Sequence, residues 1–270
     1  MRLINRRPDR GTALVLAALP FALVALAYVL GSAERLAENP ADKLLPSFAT
    51  MAETFGRLAF VADARTGDYI LVSDTLASLE RLASALFIST ALALVLGLLI
   101  GLLPLVNALL APFVALVSMV PPLALLPILF IVMGLGEASK IALIVIGVAP
   151  FLTRDLAMRV RELPREQIIK AQTLGASTWL IALRIVLPQI VPRLIDGVRL
   201  SLGPAFLFLI AAEAIASDSG LGYRIFLVRR YLAMDVILPY VAWITLLSVA
   251  IDYGLARLRD AAFPWFGRGA

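Results

Sequence analysis

Six stretches of this chain, at about residues 11–30, 82–106, 109–133, 141–156, 194–215 and 236–255, are apolar for close to the ~20 residues an α-helix needs to cross ~30 Å of hydrocarbon. That pattern leaves few architectures. A backbone in lipid must satisfy its own N–H and C=O groups, so only helices and closed barrels span a bilayer, and the ~10-residue alternating segments of barrel strands are absent. With 61% hydrophobic and 16% charged residues, a water-soluble domain of this size would expose more apolar surface than water tolerates. The sequence therefore predicts an all-α integral membrane protein with six transmembrane helices. Residues 1–35 form a basic N-terminus and first helix, 36–81 an outer segment, 82–266 the core, with a loop at about 157–192, and 267–270 a tail.

Positive charge predicts the orientation. An N-terminus in the cytoplasm places Arg2, Arg6, Arg7 and Arg10, the loop between Arg154 and Arg193, and Arg257, Arg259 and Arg268 inside. An even number of spans puts both termini there. The outer segment then carries an acidic excess (Glu34, Glu38, Asp42, Glu53, Asp63, Asp68, Asp74, Glu80). Within it, residues 63–68 read as a turn, and residues 104–107 as the turn joining the second and third spans. The first span has two readings, a retained helix or a cleaved signal peptide ending near Gly31-Ser-Ala33. Its length beyond an h-region of ~7–15 residues favours retention.

The residue inventory excludes most enzyme chemistry. The chain has no Cys and no His, hence no thiolate or imidazole metal site, disulfide or imidazole general base. It also lacks a Gly-x-x-x-x-Gly-Lys-[Ser/Thr] phosphate loop, so it supplies no such nucleotide cradle itself. No catalytic residue, metal site or bound cofactor is expected. The net charge of +5 lies mainly between apolar runs, where it orients loops and does not point to nucleic acid.

The segment Lys170-Ala-Gln-Thr-Leu-Gly-Ala-Ser-Thr-Trp179, followed by Leu187-Pro188, interrupts the apolar pattern. Pro164 can start a helix, Ala171, Leu174 and Trp179 offer apolar contacts, and Gly175-Ala176 lets another backbone approach. A two-helix knob that docks a partner is the functional reading; a helix lying on lipid headgroups is the bland one. Intramembrane charges are the other candidates, because they are costly unless compensated. Asp196 and Arg199 share a helix face, suiting either a local ion pair or a gate. Glu213, ~25 Å further along the fifth span, suits either interfacial solvation or a gate beside Ser217-Asp-Ser-Gly-Leu-Gly222. Pro121, Pro122 and Pro127, with Met119 adjacent, interrupt the third span, either lining a pathway or kinking a helix for packing.

The loop through Leu187-Pro188 and Pro192 resembles the "EAA" loop of binding-protein-dependent ABC-importer permeases. Further matching pieces, in order, are Leu45-Pro-Ser47, Pro121-Pro-Leu-Ala-Leu-Leu-Pro127, Gly134-Leu-Gly136, Asp196-Gly-Val-Arg199, Ala212-Glu213 and Ser219-Gly-Leu-Gly222. Together they resemble the nitrate, sulfonate and taurine branch over residues 44–266. The resemblance implies a type I importer permease in a bacterial inner membrane, its coupling helix around Ala171, Leu174, Gly175, Ala176 and Trp179. It implies a homodimer with two cytoplasmic ATPase subunits, where ATP and Mg bind, and a periplasmic solute-binding protein. Solute would pass by alternating access. The 63–81 and 226–231 stretches look like permeases of urea- or guanidine-degrading systems. The chain departs from the family at Ile169 and Lys170, where the loop's usual Glu-Ala stands, with Glu166 one turn earlier. The alternatives from other classes are an ion-gradient-driven secondary transporter or channel, and a membrane scaffold or sensor.

Overall fold

A computed structural model of the chain describes residues 8–40, 42–64 and 67–266, and these are built from helices and their connections. Arg2, Arg6, Arg7, Arg65 and Arg268 and the tail lie outside the described residues. Helices α1 (Arg10–Glu38), α3 (Ile70–Leu102), α6 (Glu137–Arg161), the rod Thr178–Ala216 and α11 (Met234–Ala262) are each long and apolar enough to cross a membrane. A sixth span exists only as a bent pair. Helix α4 (Pro104–Val117) and the segment Pro122–Met133, a short 3₁₀ turn leading into α5 (Leu126–Met133), meet at 80°. The third predicted span is thus two arms, broken where Pro121 and Pro122 deny the ladder consecutive N–H donors.

Three further boundaries differ from the sequence expectation. Residues 104–107 are not a turn but the first turn of α4. Leu103 alone is extended (φ −103°, ψ 112°), and Pro104 starts the new helix with its φ already fixed. Asn107 donates from Nδ2 to the Ile100 carbonyl at 3.0 Å, covering an end carbonyl of α3. The second span begins at Ile70, because Asp74, Ser78 and Arg81, which look like outer-segment residues, are buried inside the bundle. The fifth does not begin at 194. Helix α8 (Thr178–Ile181) passes through one π turn (Ala182–Val186) into α9 (Leu187–Ala216) without a break. Pro188 cannot donate to the preceding turn. The π turn ahead of it absorbs the defect, Leu187 N–H reaching back to the Ala182 carbonyl.

The core is the packing of α6 against α3 and α9. Lipid tails are as apolar as leucine, so such association draws on close contact rather than on escape from water. Ala85, Ser89, Ala93, Gly97 and Gly101 repeat every fourth residue along α3. At Gly97 and Gly101 a Cβ would lie 2.9 Å and 2.5 Å from the Cβ atoms of Leu156 and Val160. Gly147 of α6 likewise makes room for the Phe208 ring of α9.

Helix α2 (Phe48–Phe60) is capped by Ser47, whose hydroxyl accepts from Thr50 N–H at 3.1 Å, which gives Leu45-Pro-Ser47 a local role. The membrane-crossing stretch of α1 is unburied. Its outer end is held by Tyr28 Oη donating to the Pro46 carbonyl (2.7 Å), Ser32 Oγ to the Leu45 carbonyl (2.9 Å), and an Arg35–Asp42 ion pair.

Candidate functional site

At one end of the bundle a knob projects between α6 and α9. Leu163 and Pro164 end the α6 connection, and α7 (Arg165–Thr173) follows with Glu166 in its first turn, where a carboxylate favours the helix dipole. Helix α7 stops in a Schellman motif. Gly175 adopts φ +79°, its N–H bonds the Gln172 carbonyl, and Ala176 N–H bonds the Ala171 carbonyl, both at 3.0 Å. Ser177 then caps α8, accepting from Leu180 N–H at 3.3 Å. Gln189 of α9 donates to the Gln167 side chain at 2.9 Å and ties α7 back to the rod.

The knob sorts its apolar side chains. Leu174 (80% exposed), Trp179 (68%) and Ile169 (56%) point outward, whereas Ala171 is buried and Ala176 packs against the core. Ile169 and Lys170, at the positions of the departure noted above, are both exposed, as is Glu166. Ala171 and Ala176 therefore seat the knob on the bundle, and the outward face is built by Ile169, Leu174 and Trp179.

Midway along the rod Thr178–Ala216, the pair expected within α9 is present, Arg199 donating to Asp196 at 3.0 Å. It is also a crosslink. Arg199 forks onto both oxygens of Asp252 in α11 (2.9 and 3.0 Å), and Arg259 reaches back to Asp196. Four charges thus fasten α11 to α9.

The opposite end holds a polar cluster that the sequence reading caught through Glu213 and the Ser217–Gly222 stretch, and missed at Asp74, Ser78 and Arg81. Solvation of that carboxylate is ruled out: Glu213 is completely buried. It accepts from Arg81 Nη1 (2.8 Å), Ser78 Oγ (2.8 and 3.0 Å) and Gly222 N–H (2.8 Å). Arg81 also engages Glu137 of α6 and donates to the Ser219 carbonyl at 2.8 Å. Glu137 takes a second cation, the buried Lys140, at 2.8 Å.

Next to them Asp74 accepts from Gly220 N–H (3.0 Å), from Arg224 of α10 (Leu221–Arg229; 2.8 Å) and from Tyr240 of α11 (3.1 Å). Gly220 has φ +123°, and a Cβ there would lie 2.5 Å from the Glu213 carboxylate. A Cβ at Gly222 would meet the Ile210 backbone. The Ser-Gly-Leu-Gly piece is therefore the close backbone approach that lets two N–H groups serve buried carboxylates. Asp74, Ser78 and Arg81 follow an i, i+4, i+7 spacing, the signal in the sequence that could have exposed this face.

The break between α4 and α5 is exposed at Met119 and Pro121 and half-buried at Pro122. Met119 and Val120 N–H groups bond the Leu116 and Val117 carbonyls, so the turn satisfies part of its own backbone. Met119, Pro121 and Pro122 are not among the hydrogen-bond partners of Glu213, which are Arg81, Ser78 and the Gly222 amide.

Residues 93–265 match the family described as "Binding-protein-dependent transport system inner membrane component". The chain is 36% identical over 191 residues to the taurine transport system permease protein TauC of Escherichia coli, covering 71% of this chain and 70% of that one. It is 29% identical over 192 residues to the bicarbonate transport system permease protein CmpB of Synechocystis, covering 70% and 68%. Among solved structures, a chain of the inward-facing MetNI methionine ABC transporter superposes in two crystal forms with TM-scores of 0.58 and 0.56 at 22% and 21% identity, over 68% and 67% of this chain and 93% and 92% of that one. At that identity the likeness speaks for the fold.

Proposed function

Because this chain belongs to the family of binding-protein-dependent transport system inner membrane components and is the multi-pass permease subunit of an ABC importer, we propose the division of labour that its two ends support. The knob end faces the cytoplasm and carries an ATP-hydrolysing subunit; the Glu213 end faces outward and receives a solute-binding protein. The basic residues Arg161, Arg165, Arg184 and Arg193 around the knob support this orientation, with both termini inside. Two copies of the chain pair about a two-fold axis with two ATPase subunits, since one knob per chain offers one contact each. ATP and Mg bind on those partners. The solute is small and polar, of the kind for which the relatives are named: taurine, aliphatic sulfonate or bicarbonate.

The observation that carries this reading is the sorted knob. Leu174, Trp179 and Ile169 form an unburied apolar tip on an otherwise polar projection; Trp179 lies on the rod that runs on into α9, whose far end holds the Glu213 lock, and α7 is tied to that rod through Gln167 and Gln189. A partner gripping the tip thereby acts on the opposite mouth. Ligand-driven shifts require such differential contact in two states, which here would be outward-open and inward-open. Met119, Pro121 and Pro122 border the pathway, Asp196 and Arg199 keep α9 and α11 moving together, and Gly175 sets the tip's shape.

The test replaces Leu174 and Trp179 by Asp, which leaves every hydrogen bond of the knob in place. Co-purification of the tagged protein from membranes should lose its ATPase partner while the permease keeps its dimeric mass. Retention of the partner together with unchanged uptake would refute the assignment of the knob.

A further inference from the structure

Among the described residues, several arginines inside the bundle are paired with carboxylates. Arg81, Arg199 and Arg224 each hold an acidic partner at 3.0 Å or less. Arg154 of α6 does not. Its hydrogen bond goes to the Ser118 hydroxyl, donated by Nη1 at 2.7 Å, and no carboxylate among the described residues is within ion-pair distance. One face of α6 carries the exposed series Phe151, Arg154, Met158 and Arg161. Arg161, the second cation of that face, donates to the Ala157 carbonyl of its own helix at 3.2 Å and has no carboxylate partner among the described residues.

Depth makes the exception costly. Arg154 lies seven residues, about 10 Å, inside the knob end of α6, and Ser118 lies at the far end of α4, about 20 Å from that helix's start at Pro104. Side chains lean toward the N-terminus of their helix. For α6 that direction is into the bilayer, away from the knob end, so Arg154 is aimed inward rather than snorkelling out. An arginine within a span and without a counter-charge is a candidate for an ion or substrate route.

The two arginines also share a space. Arg154 and Arg161 line a cavity of about 190 Å³ with Ala111, Ala115 and Met158, at the foot of the α4–α5 break. The volume suits a solute of a handful of heavy atoms. Two unpaired guanidiniums with planar donor forks are the chemistry that selects oxyanions.

We infer that Arg154 and Arg161 form an anion-binding station on the solute's route, taking a small oxyanion such as a sulfonate or a bicarbonate before release toward the knob side. The inference rests on the importer reading for the identity of its occupant. The phosphate of an anionic lipid headgroup has the same chemistry, so the experiment must separate the two sources.

The chain has no cysteine, so Ala115→Cys introduces a single thiol into the cavity while leaving Arg154 and Ser118 in place. The dimeric permease with its ATPase partner is reconstituted in phosphatidylcholine vesicles. Labelling rates are measured with an anionic (sulfonatoethyl) and a cationic (trimethylammonioethyl) methanethiosulfonate, each relative to a free thiol. A positive, walled cavity should favour the anionic reagent by about tenfold or more. Arg154→Gln with Arg161→Gln should abolish the preference, Arg154→Lys should keep most of it, and taurine or bicarbonate should slow labelling.

Equal rates for the two reagents, no labelling by either, or a preference untouched by the double Gln change would each overturn the station. Loss of the preference on adding phosphatidylglycerol, with no protection by taurine or bicarbonate, would assign the site to lipid and overturn the solute route. None of these readouts needs a coupled transport cycle. Failure of the importer reading, seen as loss of the ATPase partner's role, stays distinguishable from failure of this site.

Discussion

Removing the Glu213 carboxylate should be among the most damaging single changes in this protein. Glu213→Ala takes away the acceptor for Arg81, Ser78 and the Gly222 amide at once. Breaking a buried ion pair from one side costs about 3–5 kcal/mol, because the remaining charge stays buried without its partner. Arg81 retains Glu137 and the Ser219 carbonyl, which moves the expectation to the lower part of that range, about 3 kcal/mol. The amide of Gly222 has no such substitute. Replacing both members, Arg81→Met with Glu213→Met, should cost less than the two single changes added together, with a coupling of about 1–3 kcal/mol. Equilibrium unfolding in mixed micelles, followed by helical circular dichroism, gives all four corners of the cycle. A loss below about 0.5 kcal/mol for Glu213→Ala, or strict additivity in the cycle, would refute the reasoning that these charges clasp α3, α9 and α10 together.

Three further outcomes follow from features described above. Gly101→Leu should disrupt the α3–α6 contact, since even a Cβ would sit 2.5 Å from Val160 Cβ; the cost is expected to exceed about 3 kcal/mol, read as loss of monodisperse protein in detergent, while Gly254→Leu, in open space, should be tolerated. Gly220→Ala combines a φ of +123° with a Cβ placed against the Glu213 carboxylate, and should lower the unfolding midpoint by the equivalent of about 2 kcal/mol or more; an unchanged midpoint would remove the close-approach argument. The Arg35 guanidinium and the Leu44 amide hold the Asp42 carboxyl below its ordinary 3.8. A lowered folded value means that the contribution is present above the ordinary value and lost as pH falls through the lowered one. Proteolysis of the α1–α2 connection should therefore accelerate only under strong acid, and Asp42→Asn should remove that step.

Sequence alone placed the starts of α1, α6 and α11 within about one turn, because each apolar run lies inside its helix. It mislocated α3 by about three turns, because Asp74, Ser78 and Arg81 are hydrophilic by type yet buried by their partners. Hydropathy reads a side chain's cost in lipid and is blind to an acceptor 132 residues away. The knob's site was legible from Gly175 and its flanking residues, since a left-handed glycine and a Ser cap are local signals. Which of its residues face out was not, since Ala171 packs into the core and Leu174 does not. The Ala85 to Gly101 repeat was visible in the chain and passed over, because small residues raise no hydropathy flag. Residues 104–107 misled for a local reason: a proline after an apolar run reads as a stop, and here it is a start.

The π turn ahead of Pro188 has a mechanical consequence. By keeping the path from Thr178 to Ala216 unbroken over 39 residues, it makes a strut of about 58 Å. Pivoted near its middle, such a strut swings both tips in opposite directions. Hydrogen bonds weaken steeply once the heavy atoms separate beyond about 3.5 Å, so the contacts of Glu213, all at 3.0 Å or less, part after a displacement of under about 1 Å. On an arm of about 29 Å that is a rotation of roughly 2°. In the proposed transport cycle, a partner on the knob would therefore need very little travel to part the Glu213 contacts, and an opening of that cluster from outside would deliver the same small rotation to the knob.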